Sequence, residues 1–137
     1  IAKHKVPVTI TEGGNYYLMQ ICDVCLAASG TATLETALMD LPTVLLYKIS
    51  PITYGLGKVL VNLDYIGLPN IIAKKEVIPE LLQDDVNSQT LLDTFTPLLD
   101  DEVANEAMRA QLKQVRADLG QPGAVKRVAQ LIANLAQ

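Results

Sequence analysis

The sequence predicts an α/β domain on three observations. Two short apolar runs, Val24-Cys25-Leu26-Ala27-Ala28 and Thr43-Val44-Leu45-Leu46-Tyr47, lie on either side of a helical stretch from about Thr31 to Met39. Neither run alternates with polar residues, and strands of that kind are usually covered on both faces as in parallel sheets, so the segment reads as a strand-helix-strand unit. Beyond Lys75 the apolar residues recur at helical spacing. At 137 residues the chain has the length of one ordinary domain, a size that buries about two-thirds of the unfolded surface around one core.

In order along the chain, the β-branched stretch Val6-Pro7-Val8-Thr9-Ile10 reads as a first strand, and because the chain does not open with Met, a preceding segment is expected. After the turn signal Glu12-Gly13-Gly14-Asn15, a short helix through Tyr17, Leu18 and Ile21 leads to the strand 24–28, which ends at Ser29-Gly30. Leu41-Pro42 breaks the helix that follows and leads into the strand 43–47. A further helix is expected with Ser50 as N-cap, Pro51 at its first position and Ile52, Leu56, Val59 and Leu60 at helical spacing. From Leu63 to Lys75 the pattern is irregular, bounded by Gly67 and Pro69, and reads as a loop with at most a short strand. Three amphipathic segments complete the chain. The first carries Leu91, Leu92, Phe95, Leu98 and Leu99, and the second Met108, Leu112, Val115 and Leu119. The third carries Val125, Val128, Ile132 and Leu135, set off by Gly120-Gln121-Pro122-Gly123. No repeat or low-complexity segment interrupts them, and the open sheet is expected mostly in the first half.

Composition excludes several classes. The net charge of −4 and pI near 4.8 argue against a nucleic-acid binder, whose footprint would be basic. No apolar run approaches the ~18 residues of a membrane span, and Ile1-Ala2-Lys3-His4-Lys5 has no signal-peptide character, so a cytoplasmic protein is expected. Cys22 and Cys25 are too close in sequence to staple a fold. A zinc site would need two more ligands where only His4 is near, and a redox pair would sit at a helix N-terminus. Both cysteines are therefore expected to be buried and inert, with no metal and no cofactor, and His4 has no assigned role. Ser29 lacks the nucleophile-elbow pattern and a histidine base, and no Gly-x-Gly-x-x-Gly follows a strand, which ranks a dinucleotide module last.

The informative segment is Ala27-Ala28-Ser29-Gly30-Thr31-Ala32-Thr33-Leu34-Glu35, a small-residue turn joining a buried strand to a helix. Free N–H groups and the positive dipole end at a helix start bind phosphate oxygens, and Gly30 lets a ligand approach the backbone. Glu35 lies one turn after Thr31 on the same face, where its carboxylate can accept from sugar hydroxyls. The plainer alternative is that Ser29 or Thr31 caps the helix and Glu35 is solvated. The position at the carboxyl end of a strand favours the ligand reading, since open α/β sheets bind in that crevice. Between Thr43 and Lys75 stand Lys48, Lys58, Lys74 and Lys75 against the one acid Asp64. They can hold a diphosphate, face anionic lipid, or form a solvated face. Lys48 is the preferred ligand contact because it follows a strand directly.

Ala28-Ser29-Gly30-Thr31-Ala32-Thr33-Leu34-Glu35, Tyr47-Lys48, Ser50-Pro51, Leu68-Pro69-Asn70, Glu76 and Pro79-Glu80-Leu81-Leu82-Gln83 together, in this order and spacing, resemble the C-terminal region of the lipid-A-disaccharide synthase family from about Thr11 to the end. The resemblance implies a glycosyltransferase B-type fold, two Rossmann-like domains facing a cleft, of which residues 1–137 would be the C-terminal nucleotide-sugar-binding domain with a helical C-terminal segment. It implies transfer of a diacylated glucosamine from a UDP donor to a diacylated glucosamine 1-phosphate, with UDP released. Ser29, Thr31, Glu35 and Asn70 fall where the family holds the UDP part of the donor. The family's catalytic Asp lies in the N-terminal acceptor domain, so no catalytic residue is expected here and this chain alone is expected to be inactive. Association with the cytoplasmic face of the inner membrane and a homodimer exchanging C-terminal helices are implied as well. Two departures stand out: Lys48 where the family often has Arg, and Lys74-Lys75 where it has Gly-Arg; Lys keeps the charge without bidentate geometry. The rival readings are half of another UDP-sugar transferase or an epimerase, against which Leu68-Pro69-Asn70 speaks, and a non-catalytic dimerisation or membrane-docking domain.

Overall fold

The computed structural model describes residues 7–28, 30–50 and 64–135. Residues 7–10 are exposed and in no regular structure, so the first expected strand is not formed there. Pro7 has no N–H to donate, and the described sheet takes up no strand from this segment. Helix α1, Asn15–Ile21, starts after Gly14 in the left-handed region (φ 67°) and buries none of its residues.

Next come strand β1, Cys25–Ala27, helix α2, Gly30–Leu38, and strand β2, Thr43–Tyr47. This is the strand-helix-strand unit read from the apolar runs, and β1 and β2 pair in parallel with Cys25 opposite Thr43 and Ala27 opposite Leu45. The helix expected from Pro51 onward lies outside the described residues.

Two further elements depart from the sequence reading. Within 63–75, expected as a loop, Leu68–Ala73 form helix α3, with Pro69 in its first turn and Lys74 closing it in the left-handed conformation (φ 53°). Proline fits a first turn because its missing N–H would have no helical partner there. The region after Lys75, expected to be all helix, contains strand β3, Glu80–Leu82, and a 3-10 turn, Gln83–Asp85. β3 joins β2 in parallel with Leu45 opposite Glu80 and Tyr47 opposite Leu82, giving a described sheet of order β1-β2-β3.

Three helices follow as their periodicity predicts: α4, Ser88–Asp100, α5, Glu102–Asp118, and α6, Ala124–Leu135. Asn87 caps α4 by accepting from Thr90 N–H. Asp101 closes α4 through its own N–H and opens α5 by accepting from Val103 and Ala104. The core joins Ala37, Val44, Leu45, Val77, Ile78 and Leu81 to Leu98 of α4 and to Met108, Leu112 and Val115 of α5. The α5 residues fall on one helical face. Thr33 and Thr36 are buried in α2, where their hydroxyls donate to Gly30 and Thr33 carbonyls. A threonine can thus sit in a core without an orphaned hydroxyl.

The amino edge of the sheet is stitched by polar groups. The Arg109 guanidinium donates to Asp40 O at 3.0 Å, to Asp23 O at 3.3 Å and to Asn105 Oδ1 at 2.7 Å. Asn105 in turn donates to Leu98 O at 2.7 Å. α5 is thereby fixed to the residues that enter β1 and β2, at the edge opposite the carboxyl ends of the strands. α6 is exposed throughout, with Val125, Val128, Leu131, Ile132 and Leu135 uncovered.

Candidate functional site

Because all three described strands run parallel, the residues that follow them leave the sheet at one edge. The register brings Ala28 after β1, Lys48 after β2 and Gln83 after β3 to that edge together. Ligands of open α/β sheets bind outside the carboxyl ends of the strands.

At the exit of β1, α2 begins at Gly30, which points its first N–H groups and its dipole's positive end toward the edge. Gly30 lies beside residue 66: a Cβ on it would sit 3.4 Å from the Ile66 carbonyl oxygen, at van der Waals contact. Thr31 is exposed and Glu35 is half-buried on the same helix. The Glu35 carboxylate accepts a long hydrogen bond from the Tyr16 hydroxyl at 3.4 Å, which holds α1 beside it and leaves acceptor capacity on the carboxylate. Ser29, the remaining predicted residue of this turn, lies outside the described residues, as do Lys58 and His4.

At the exit of β2, Lys48 is exposed. The Ile49 N–H immediately after it donates to Gln83 Oε1 at 3.1 Å. Gln83 holds a left-handed backbone (φ 51°) and keeps its side-chain nitrogen buried with no hydrogen-bond partner among the described residues. Lys74 and Lys75 are exposed at the far end of α3, so among the described residues they do not cluster with Lys48, which stands on the edge without them.

Asn70 is placed differently from the others. It is fully buried, and its carboxamide is spent inside the protein. Oδ1 accepts from the N–H groups of Val77 at 2.7 Å and Ile78 at 2.9 Å. Nδ2 donates to Ile78 O and to Glu80 Oε1, each at 2.8 Å. Glu80 completes the knot by accepting from Ile66 N–H at 2.9 Å and Gly67 N–H at 2.8 Å. The knot thereby holds residues 66–67 where the Ile66 carbonyl meets Gly30 at the start of α2. Glu80 and Gln83 were not singled out as site residues in the sequence. Both sit in Pro79-Glu80-Leu81-Leu82-Gln83, and the signal available was that a short apolar pair between two polar residues can form a strand whose ends project polar groups.

The cysteines require a correction. Cys22 is exposed at the end of α1 and Cys25 is half-buried in β1, so neither is fully buried. Both are free. Loss of solvation, then the neighbouring Cys22, push the Cys25 thiol above its ordinary pKa. Two open depressions on the described surface lie away from the carboxyl edge. One surrounds Lys75, Val77, Gln111 and Asp118, and the other surrounds Asp23, Glu102, Asn105 and Arg109 at the amino edge. No described helix is long and apolar enough to cross a membrane.

A parallel sheet flanked by helices, with a helix N-terminus, a carboxylate and a lysine at its carboxyl edge, defines an α/β domain of the open-sheet class. Comparison with known proteins narrows that class. The family model described as "Lipid-A-disaccharide synthetase" matches residues 2–135. The lipid-A-disaccharide synthase of Geobacter sulfurreducens is 42% identical over 135 residues, covering 98% of this chain and 35% of that protein. That of Persephonella marina is 44% identical over 136 residues, covering 96% of this chain and 36% of that protein. That of Syntrophus aciditrophicus is 38% identical over 136 residues, covering 98% and 36%. The chain belongs to the lipid-A-disaccharide synthetase family, and it spans about a third of the length of these curated relatives.

Proposed function

We propose that residues 1–137 form the nucleotide-sugar-binding domain of a glycosyltransferase B-type enzyme. The enzyme joins UDP-2,3-diacylglucosamine to 2,3-diacylglucosamine 1-phosphate and releases UDP. The observation that carries this reading is the start of α2 at the carboxyl end of β1, with Gly30, Thr31 and Glu35 on one helix and Lys48 leaving the adjacent strand. Family membership and the names of the relatives point the same way.

In this reading the diphosphate sits against the α2 N-terminus, with Ser29, Gly30 and Thr31 offering backbone and hydroxyl donors. Lys48 neutralises the charge that grows on the leaving UDP as the glycosidic bond breaks, a preorganised electrostatic role. Glu35 accepts from hydroxyls of the donor. Asn70 acts from below the pocket: its buried carboxamide and Glu80 hold residues 66–67 against Gly30. The general base belongs to a part of the enzyme outside these 137 residues, so this chain binds donor without transferring it.

The alternative reading, a dimerisation or membrane-docking domain, is favoured by one feature, the uncovered apolar stripe of α6. It is compatible with the donor reading, because a homodimer exchanging C-terminal helices would bury that stripe without touching the carboxyl edge. The same stripe, or the lysines, would serve a peripheral position on the cytoplasmic face of the inner membrane.

Isothermal titration with UDP and with uridine separates the two. The donor reading expects saturable UDP binding, weaker binding of uridine, and a loss of about tenfold or more in Lys48→Ala, the worth of one charged hydrogen bond. Equal affinity for UDP and uridine, or no saturable heat at millimolar UDP, would leave the non-catalytic reading in its place.

A further inference from the structure

We infer that Gln83 is a positioning residue for Lys48. The inference rests on the reading of the carboxyl edge as a diphosphate pocket and adds a residue to it. Lys48 is the first residue beyond β2 and Gln83 the first beyond β3, and the parallel register of Tyr47 with Leu82 sets them side by side. The Gln83 side chain then crosses to the segment that follows β2, where its Oε1 accepts from Ile49 N–H at 3.1 Å, a contact spanning 34 positions in sequence.

That N–H belongs to the peptide unit joining Lys48 to Ile49. A peptide unit is planar, so fixing its N–H also fixes the Lys48 carbonyl and the direction in which the chain leaves the Lys48 Cα. Lys48 is exposed, and a long flexible side chain on a wandering backbone would lose much of its electrostatic worth to entropy. Anchoring the peptide removes the backbone part of that loss.

Two unfavourable features at Gln83 show that this contact is held against local preference. Its backbone sits at φ 51°, a region that non-glycine residues avoid, and its Nε2 is buried with no partner among the described residues. A glycine would satisfy the backbone and a hydrocarbon side chain would satisfy the burial. Only a side chain with an acceptor at this length reaches Ile49. Strain of this kind gathers where a chain is held for a ligand.

The test is a double-mutant cycle on UDP binding by the whole chain, with Gln83→Gly, Gln83→Met and Lys48→Ala. Gln83→Gly takes the left-handed backbone without strain, and Gln83→Met keeps the side-chain length at the backbone cost that the glutamine already bears. Both remove the acceptor, and both are expected to speed amide exchange at Ile49 and weaken UDP binding by about threefold to tenfold, part of the worth of one charged hydrogen bond. In the Lys48→Ala background the same change is expected to alter affinity by less than about twofold, because there is no ammonium left to position. Wild-type affinity in Gln83→Gly, or an equal loss with and without Lys48, overturns the inference while leaving the donor pocket intact. Absence of UDP binding by the unaltered chain, or wild-type affinity in Lys48→Ala, overturns the pocket reading on which it rests.

Discussion

Replacing Asn70 by alanine removes the centre of the knot that carries residues 66–67. Two N–H groups lose their acceptor, those of Val77 and Ile78, which are 4% and 0% exposed and so have no access to water. An orphaned buried donor costs about 1–3 kcal/mol. Ile78 O loses its side-chain donor and Glu80 loses one of the three N–H donors described around its carboxylate. These groups share one network and do not add fully, so the expected loss is about 3–5 kcal/mol, a large part of the 5–15 kcal/mol that holds a domain of this kind. Urea unfolding followed by far-ultraviolet circular dichroism measures it. With a slope of about 2 kcal/mol per molar urea, the midpoint falls by about 2 M. Asn87→Ala is the reference, since Asn87 is an exposed N-cap whose loss costs about 1 kcal/mol. An Asn70→Ala protein that loses no more stability than Asn87→Ala would refute the knot as a structural centre.

Three further outcomes are expected. Gly67→Ala puts a Cβ 3.1 Å from Glu80 Oε1 and 3.3 Å from Ile78 Cδ1; the crowding should outweigh the entropic gain of alanine and cost about 1–3 kcal/mol, read as a lower thermal midpoint. Arg109→Ala removes the bonds to the Asp23 and Asp40 carbonyls at the amino edge and should cost about 2 kcal/mol without altering UDP affinity, since that edge is opposite the proposed donor site. Alkylation by iodoacetamide near pH 8 should modify Cys22 before Cys25. Burial raises the Cys25 thiol, so less of it is thiolate at that pH, and its rate should keep climbing at higher pH; mass spectrometry of peptides after timed quenching reads both sites.

The strand-helix-strand unit was legible because β1 and β2 are uniformly apolar and α2 lies between two turn signals, Ser29-Gly30 and Leu41-Pro42. α4, α5 and α6 were legible from periodicity alone. β3 was not, since three residues opening on Glu80 are too short and too polar at the start to show a period. It exists because Leu45, Leu46 and Tyr47 offer it a ladder. α3 was hidden for the opposite reason: Gly67, Pro69 and Asn70 read as loop residues, yet Pro69 suits a first turn and Asn70 turns its side chain to the backbone ahead. Val6 to Ile10 had strand composition, and yet residues 7–10 are in no regular structure, for composition alone does not form a ladder. Of the candidate site, Gly30, Thr31 and Glu35 were readable as one helix start, and Lys48 as a strand exit. The burial of Asn70 and the parts played by Glu80 and Gln83 depend on contacts across 7 to 34 positions, which no local pattern encodes.

If the carboxyl edge of the sheet binds a nucleoside diphosphate at the start of α2, a backbone amide titration with UDP shows it residue by residue. Saturable shifts are expected at positions 29–35, at Lys48 and Ile49, and at Ile66 and Gly67, with α6 and the Asp23–Arg109 edge unmoved. Shifts centred on the amino edge, or no shifts anywhere at millimolar UDP, would contradict binding at the carboxyl edge.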